Sequence, residues 1–170
     1  MSERVDKSDS GRVRYAAKFR APFAVLGIRT GRGAVTGVDY LPLSERAAAP
    51  VDALAERVSR QVERYLDDGE FRFDLPLAPA GSAFQRRVWD RIAEIPSGES
   101  RTYGELARRL HTAAIAVGGA CGANPIALVI PCHRVVGTHG SLGGFMGVTE
   151  GDPIAIKRWL LAHEGYRFGQ

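Results

Sequence analysis

At residues 130–136 the chain runs Ile130-Pro131-Cys132-His133-Arg134-Val135-Val136, at the end of an apolar segment that begins at Ile126. This apolar segment predicts a buried strand, which would hold Cys132 in a fixed position between a proline and an imidazole. A cysteine reacts as the thiolate, and a neighbouring base favours that form. Cys132 is therefore a candidate nucleophile. The alternative is a small buried hydrophobe, which is a common role of a free cysteine.

His133 is the first candidate for the base that activates Cys132. Neighbouring residues of an extended segment point to opposite faces, so their side chains need not touch. A bridging water or a bend at Pro131 would then connect them. The imidazole also needs an acceptor that orients it, and the carboxylate of Glu164, in Ala162-His163-Glu164-Gly165, is the best candidate by its chemistry.

Composition is typical of an ordinary globular protein. The 170 residues are 45% hydrophobic and 25% charged, enough for one domain or for a small domain joined to a compact second one. No run of about 18 apolar residues predicts a membrane span, and the polar start predicts no secretory signal, so we expect a cytoplasmic protein. Two cysteines and four histidines show no zinc-site spacing, and we expect neither a metal nor another cofactor.

The distribution of charged residues along the chain is more informative about function than the net charge. A net charge of +4 and an isoelectric point near 9.4 are compatible with nucleic-acid binding. Between Arg109 and Glu150, however, Arg134 is the only charged residue. A stretch of this length with one charge is either buried or placed against a partner, and it contains Cys132.

The first half of the chain predicts a small sheet and a helix. Residues 1–10 predict a disordered leader, and residues 11–78 an N-terminal domain. Apolar runs at 21–28 and 34–40, separated by glycine-rich sequence, predict a hairpin. An amphipathic helix is predicted over residues 51–66, because its apolar residues recur every three or four positions: Leu54, Val58, Val62, Tyr65 and Leu66.

The second half, residues 82–170, predicts a mostly helical domain, which makes the chain α+β. Ser82 and Gln85 have the spacing of a capping box and predict a helix that ends before Pro96. Thr102 and Glu105 have the same spacing and predict a second helix, which would run from residue 103 to residue 110.

A third helix is predicted over residues 113–121, after a very short turn and with Thr112 as its cap. Together with the second helix it describes a helix-turn-helix. Its residues are small, and Gly118 and Gly119 each cost about 1 kcal/mol relative to alanine inside a helix. Such glycines predict a close approach, either to a nucleic acid or to another helix.

Several motifs follow one another in the second half of the chain. They are Ala113-Ala114-Ile115-Ala116-Val117-Gly118-Gly119-Ala120, Asn124-Pro125, the segment 131–136 and Trp159-Leu160-Leu161-Ala162-His163-Glu164-Gly165. In this order and spacing the chain resembles the O6-alkylguanine-DNA alkyltransferases, from about Phe84 to Tyr166. Proteins of that family move an alkyl group from guanine in double-stranded DNA to their own cysteine, once per molecule and without a cofactor.

The resemblance implies a role for each of these motifs. Cys132 would be the acceptor, His133 the base acting through water, and Glu164 the residue that orients His133. Tyr103 would contact the flipped guanine and the neighbouring phosphate, and Asn124 would tie the recognition helix to the cysteine loop. The substrate pocket would be formed by Val135, Phe145, Met146 and Gly147. Contacts to the minor groove of DNA would come from Thr102, Tyr103, Ala113, Ala114, Ile115, Gly118 and Gly119.

Further expectations follow from the resemblance. O4-alkylthymine would be a second substrate, and the protein would act as a monomer. Plainer interpretations stay open for two residues, since Tyr103 also fits a half-buried aromatic and Asn124 fits a simple Asn-Pro turn.

The chain departs from the family pattern in several places. Ile115 stands where the family has an arginine that fills the space of the flipped base, and we expect Ile115 to act as an apolar wedge. The turn of the helix-turn-helix is shorter than usual, and residues 148–153 lengthen the loop that follows Gly147. The ligands of a zinc site found in the N-terminal part of some family members are missing.

Other functions are weighed against this one. A module that binds alkylated bases without transferring anything would lack the cysteine, which is present here, but the missing arginine keeps this alternative open. A helix-turn-helix transcription factor would need a charged recognition helix, and residues 113–123 carry no charge. A cysteine hydrolase would need a separate histidine and an asparagine or aspartate signature.

Overall fold

A three-stranded antiparallel sheet forms the N-terminal part of the computed structural model, which describes residues 13–147 and 152–169. Its strands are β1 (Ala17–Arg20), β2 (Val25–Gly31) and β3 (Ala34–Leu41), in that order across the sheet. The β2–β3 hairpin confirms the prediction from the apolar runs. Its two-residue turn at Arg32 and Gly33 has φ values of 51° and 77°, the left-handed region that tight hairpin turns require. The predicted leader lies outside the described residues.

Helix α1 (Ala53–Asp67) packs against this sheet. The side chain of Asp52 accepts a hydrogen bond from the Ala55 amide and so caps the helix. The buried face consists of Ala55, Val58, Val62 and Tyr65. The predicted amphipathic helix is therefore confirmed, with Leu54 and Leu66 only partly buried at its edges.

Both predicted capping boxes are present. In α2 (Ala83–Ala93), Ser82 Oγ accepts from the Gln85 amide at 3.1 Å, and Gln85 Oε1 accepts from the Ser82 amide at 2.9 Å. In α3 (Tyr103–Leu110), Thr102 and Glu105 make the same two bonds at 3.1 and 2.7 Å. These reciprocal bonds satisfy amides that a helix start would otherwise leave unpaired.

Helix α4 (Ala114–Gly122) begins one residue later than predicted, and Thr112 does not cap it. The N-cap is Ala113, which makes no side-chain hydrogen bond. Thr112 instead continues the turn that closes α3, because its amide donates to Ala107 O at 2.9 Å. His111 ends α3 in the left-handed conformation with φ 53°, which allows the tight reversal into α4.

The strand prediction is wrong for residues 126–134 of the cysteine segment, and only Val135–Val136 form a strand. Ile126 makes only an isolated bridge to Val38, and Leu128 has a positive φ of 70° that turns the chain. Residues Cys132–Arg134 form a 3₁₀ turn. Apolar side chains here mark burial in the core rather than a sheet period, which short apolar runs cannot distinguish.

Two short strands close the fold around this turn. Strand β5 (Val135–Val136) pairs in parallel with β4 (Arg101–Thr102), directly before α3. Helix α5 (Asp152–His163) then brings Glu164 to the cysteine turn. The mixed architecture confirms the predicted α+β class. One continuous hydrophobic core contains residues of both halves, and the division into domains at residues 78 and 82 stays a prediction.

Among the helices of the described residues, none is both long and apolar enough to span a membrane.

Candidate active site

Cys132 is the first residue of the 3₁₀ turn, and its thiol lies at the wall of an apolar cavity of about 320 Å³. The residue is only 4% exposed. A reagent therefore reaches the thiol through the cavity. The other residues that line the cavity come from three places, the start of α3, the helix α4 and the loop after β5: Tyr103, Ala114, Ile115, Gly118, Cys121, Gly122, Gly144, Phe145, Met146 and Gly147.

Both polar atoms of the Asn124 side-chain amide make hydrogen bonds that fix the cysteine turn. Its Nδ2 donates to Ile130 O at 2.9 Å and to Cys132 Sγ at 3.2 Å, and its Oδ1 accepts from the Ile126 amide at 2.9 Å. The Asn124 side chain thus joins the residues after α4 to the thiol itself, rather than forming a simple turn.

The thiol of Cys132 is held in its protonated form. A hydrogen bond with Cys121 and burial raise the pKa of Cys132, while the Asn124 donor and the charge of Lys157 oppose the shift. A base that takes the thiol proton is therefore needed to form the thiolate near neutral pH. Cys121, which lines the same cavity, was not singled out from the sequence.

Glu164 lies at the centre of a buried polar cluster. Its Oε1 accepts from His133 Nε2 at 2.7 Å, from Arg134 Nη2 at 2.9 Å and from Tyr65 Oη at 2.9 Å. Its Oε2 accepts from Arg134 Nε at 2.9 Å. Burial alone would raise the pKa of Glu164, but hydrogen bonds and charges from His133 and Arg134 lower it to about 2. The structure thus brings together Glu164 and His133, which were paired by chemistry alone.

His133 is 1% exposed, and burial lowers its pKa although Glu164 opposes this shift. The imidazole is therefore neutral at neutral pH. With Nε2 donating to Glu164, the acceptor nitrogen is Nδ1, which is buried and has no hydrogen-bond partner among the described residues. The ring therefore has the tautomer that a general base requires.

Arg134 and Tyr65 complete the cluster, and the sequence named no partner for either. The Arg134 guanidinium pairs with Glu164 and donates Nη1 to Ile95 O at 2.7 Å. Tyr65 was predicted only as an apolar position on α1, and nothing in the sequence signalled its bond to Glu164.

Lys157 is a buried charged residue beside the cavity that the sequence analysis did not single out. Its ammonium is 0% exposed and donates to Val135 O at 2.6 Å, to Leu142 O at 2.6 Å and to Gly144 O at 2.9 Å. Burial lowers the pKa of Lys157 to about 8. Its signal was available, because Lys157 shares a face of α5 with the buried Leu160 and Leu161. A lysine in an apolar stripe indicates that its ammonium is paired with a buried acceptor.

Tyr103 packs beside this lysine at the other wall of the cavity. Its hydroxyl donates to Gly144 O at 3.0 Å, and Lys157 Nζ lies 5.6 Å from its ring centre. A side chain at Gly143 would meet the Tyr103 ring at 2.7 Å, so this glycine permits the close contact. Of the predicted pocket residues, Phe145, Met146 and Gly147 line the cavity, while Val135 contributes its carbonyl to Lys157.

The outer face of α4 is open. Ile115 is 90% exposed, and nothing lies within 4 Å of a side-chain carbon built at Gly118 or Gly119. Packing against another helix is thus not what these glycines serve. The opposite face of α4 buries Val117 and Ala120. The remaining predicted DNA contacts lie outside the cavity lining, with Ala113 and Gly119 exposed and the Thr102 hydroxyl used as the α3 cap.

No cluster of three or more metal-ligating side chains occurs within residues 13–147 and 152–169. Most of the lengthened loop, residues 148–151, lies outside the described residues.

Residues 83–166 match the family described as 6-O-methylguanine DNA methyltransferase, DNA binding domain. The methylated-DNA–protein-cysteine methyltransferase of Methanosarcina acetivorans is 36% identical over 159 residues, covering 89% of this chain and 98% of that protein. The protein of the same name from Haemophilus influenzae is 45% identical over 158 residues, covering 88% of this chain and 86% of that protein.

Solved structures show the same likeness. The crystal structure of Mycobacterium tuberculosis OGT in complex with DNA superposes with a TM-score of 0.72 and is 38% identical, covering 86% of this chain and 90% of that one.

Proposed function

The chain belongs to the methylated-DNA–protein-cysteine methyltransferase family, as the motifs predicted, and we propose that it repairs DNA by moving an alkyl group from O6 of guanine to Cys132. One observation carries this proposal. The thiol lies at the wall of an apolar cavity whose rim is the exposed face of α4, and it is backed by a neutral imidazole and a buried carboxylate.

The burial of Cys132 requires the target base to leave the DNA stack. A thiol that is 4% exposed cannot reach an alkyl carbon on a stacked guanine, so the base is flipped into the cavity. Phe145 and Met146 provide apolar wall for the base, and backbone groups of the loop provide polar contacts. O4-alkylthymine presents an alkyl carbon in a similar position and is a second substrate.

The reaction is a displacement at the alkyl carbon. His133 takes the Cys132 proton through water, while Glu164 holds the imidazole and stabilises its charged form. The thiolate forms a bond to the alkyl carbon, and the bond from that carbon to O6 breaks with its electron pair going to guanine. Guanine then takes up a proton, and Cys132 keeps a thioether. Thiol exchange does not reverse a thioether, so each molecule acts once.

Guanine is recognised by backbone carbonyls beside the thiol. A carbonyl oxygen has two lone pairs. Val135 O uses one for Lys157, and Cys132 O uses one for the Val135 amide, which leaves an acceptor on each for the guanine amino group. Tyr103 stands across the cavity and contacts the guanine edge and the adjacent phosphate.

The helix-turn-helix of α3 and α4 docks in the minor groove of duplex DNA. The α4 face has no charge and carries the two open glycines, so it approaches the groove closely without repelling or pairing with phosphates. Ile115 projects from this face beside the cavity and enters the space left by the flipped base. We propose in addition that the protein acts as a monomer in the cytoplasm.

A second candidate function is a module that binds alkylated bases without efficient transfer. Two features favour it, namely the burial of the Cys132 thiol beside Cys121, which raises its pKa, and the isoleucine at the position where the family has an arginine. The first would slow transfer at the thiol itself without changing the groups that contact the lesion.

Intact-protein mass spectrometry separates the two functions. The protein is mixed with a duplex oligonucleotide containing one O6-methylguanine, with Cys132→Ala and the matched variant Cys121→Ala alongside. Repair predicts one added methyl group mapped to Cys132, present in Cys121→Ala and absent in Cys132→Ala. An unchanged mass with the oligonucleotide bound would instead establish the binding module.

A further inference from the structure

A second cavity, of about 170 Å³, lies between strand β3 and the cysteine turn. It shares Cys121, Gly122, Cys132, Phe145 and Met146 with the substrate cavity. Its remaining wall includes Tyr40 from the N-terminal sheet and Asn124 and His133 from the cysteine loop. The thiol therefore borders two cavities. One would take the flipped guanine, and the other is lined by His133, the proposed general base, whose Nδ1 is unpaired among the residues that the structure describes.

Two buried polar atoms in this wall lack a partner. Within the described part of the chain, the side-chain polar atoms that are fully buried and make no hydrogen bond are Tyr40 Oη and His133 Nδ1. Both residues line the second cavity. Buried polar groups in folded proteins are almost always paired with protein or ordered water. Two unpaired groups in one cavity point to a shared partner inside it.

Water fits this cavity in size and in chemistry. One buried water needs about 10–15 Å³ and two to four polar partners. The volume suffices for more than one water, and the wall offers Tyr40 Oη, His133 Nδ1 and Cys132 Sγ.

Neighbouring aromatic rings hold the Tyr40 ring in place, whereas its hydroxyl has no hydrogen-bond partner in the described residues. The ring meets Phe23 edge-on with 6.1 Å between centres and lies 5.9 Å from the Phe145 ring. The Leu128 backbone comes near the hydroxyl but not in hydrogen-bond geometry. Burial raises the pKa of Tyr40, so the hydroxyl keeps its proton and both donates and accepts.

We propose that the second cavity is a hydrated proton-transfer chamber and that Tyr40, from the N-terminal sheet, is a positioning residue whose hydroxyl holds the relay water between Cys132 and His133. The relay water accepts the proton from Cys132 Sγ as it gives one of its own to His133 Nδ1. Thiolate and imidazolium result, with no net change in the number of protons. This inference rests on the proposed alkyl transfer for its biological meaning, whereas thiolate formation itself needs no DNA.

Other titratable groups surround the relay. Asp39 and Cys121 line the chamber, and the Asp39 carboxylate is paired with Tyr15 and Arg29. On the far side of the imidazole stands Glu164. Arg134 and Lys157 are the cations that act on His133.

The test replaces Tyr40 by phenylalanine, which removes the hydroxyl and keeps the ring contacts. The matched control is Tyr15→Phe, which removes a hydroxyl that bonds Asp39 but belongs to a residue that does not line the chamber. The first readout is the rate at which iodoacetamide alkylates Cys132 between pH 6 and pH 10, mapped by peptide mass. The second is the rate of methyl transfer from saturating O6-methylguanine duplex.

The chamber predicts that Tyr40→Phe slows alkylation about tenfold near pH 7, the effect of one well-placed hydrogen bond. The difference should vanish at high pH, where hydroxide removes the thiol proton directly. Tyr15→Phe should match the wild type throughout. Equal profiles for Tyr40→Phe and the wild type, or a deficit that is the same at every pH, would overturn the proposal.

The two readouts separate this inference from the proposed function. A pH-dependent deficit in alkylation together with no methyl transfer by the wild type would support the chamber and reject alkyl transfer. Methyl transfer by the wild type with no effect of Tyr40→Phe on either readout would reject the chamber alone.

Discussion

The two sides of Cys132 differ in almost every physical property. Behind the thiol, a buried carboxylate accepts four hydrogen bonds from His133, Arg134 and Tyr65, and each partner is fixed by its own packing. In front of the thiol, the outer face of α4 is open and uncharged, and Ile115 on this face is 90% exposed. The back, which consists of Glu164, His133, Arg134 and Tyr65, is paired within the described part of the protein except at His133 Nδ1. The front, which is the outer face of α4, has few partners until DNA arrives.

This difference determines what a substitution does. Removing one member of a buried charged cluster leaves the others unpaired, at a cost of about 3–5 kcal/mol. Changing an exposed side chain removes only its own contacts with a partner. One departure of this chain from its family pattern, Ile115, lies at the front.

The largest effect is expected for Glu164→Gln at the back. An amide cannot accept all four hydrogen bonds or neutralise Arg134, so the free energy of unfolding should fall by about 3–5 kcal/mol. Methyl transfer should also be lost, because His133 loses its orienting anion. Urea unfolding checks the first expectation and single-turnover assays the second. A loss below about 1 kcal/mol would show that the cluster is not tightly coupled.

Acid should destabilise the protein through the same cluster. The pKa of Glu164 is about 2 in the folded protein and near 4.5 when unfolded. Its stabilisation is therefore complete above pH 4.5 and is lost as the pH falls towards 2, a total of about 3 kcal/mol. The lowered pKa of His133 adds a decline that begins below its ordinary value of 6.5. Unfolding titrations from pH 3 to pH 8 should show both declines, and Glu164→Gln should lack the lower one.

Lys157→Met tests the connection between back and front. The ammonium ties Val135 O to the loop carbonyls of Leu142 and Gly144, and its removal takes a charged donor from all three acceptors, although Gly144 O keeps its bond from the Tyr103 hydroxyl. We expect transfer to slow by about tenfold to a hundredfold, the value of one or more charged hydrogen bonds. Because the pKa of Lys157 is about 8, wild-type transfer should decline above pH 8 as one donor is lost. A decline that persists unchanged in Lys157→Met would assign it to another group.

At the front, Ile115→Ala should weaken binding to duplex DNA about tenfold, as expected for losing part of an isoleucine's apolar contact. Stability should not change, because the side chain is exposed. Ile115→Arg should tighten binding and steepen its dependence on salt by about one ion per complex. Fluorescence anisotropy at several salt concentrations measures both. The control is Val51→Ala, an apolar side chain 78% exposed at another site, which should bind as the wild type.

The smallest effect concerns Cys121, at the border between the two sides. Its hydrogen bond is the largest cause of the raised pKa of Cys132, so Cys121→Ala should lower that pKa. Alkylation of Cys132 at pH 7 should then be a few times faster. Cys121→Ser, which retains a hydrogen-bonding group, is the matched control. Slower alkylation in Cys121→Ala would contradict the assigned direction.

The back was only partly predictable from sequence, for a physical reason. Glu164 and His133 could be paired because a base needs an orienting acid, but Tyr65 and Lys157 act through contacts far apart in the chain. Tyr65 fits the apolar stripe of α1, and its hydroxyl becomes informative only when α5 is placed beside it.

The local elements of the fold were easier to predict. Both capping boxes depend on a three-residue spacing and were correct. Thr112 failed as a cap because α4 begins one residue later than predicted, which places Ala113 at the N-cap. The cysteine turn was mistaken for a strand because burial alone produced its apolar run. At the front, the glycines of α4 predicted close approach, and their open surface agrees with it.

The most direct measurement compares one reaction that needs DNA with one that does not. Cys132 is alkylated by iodoacetamide, and separately by an O6-methylguanine duplex, in the wild type, Glu164→Gln and Ile115→Ala. If the back controls the thiol and the front controls DNA, Glu164→Gln slows both reactions, and Ile115→Ala slows only the second. Slower iodoacetamide alkylation in Ile115→Ala, or normal alkylation in Glu164→Gln, would contradict this division of the site.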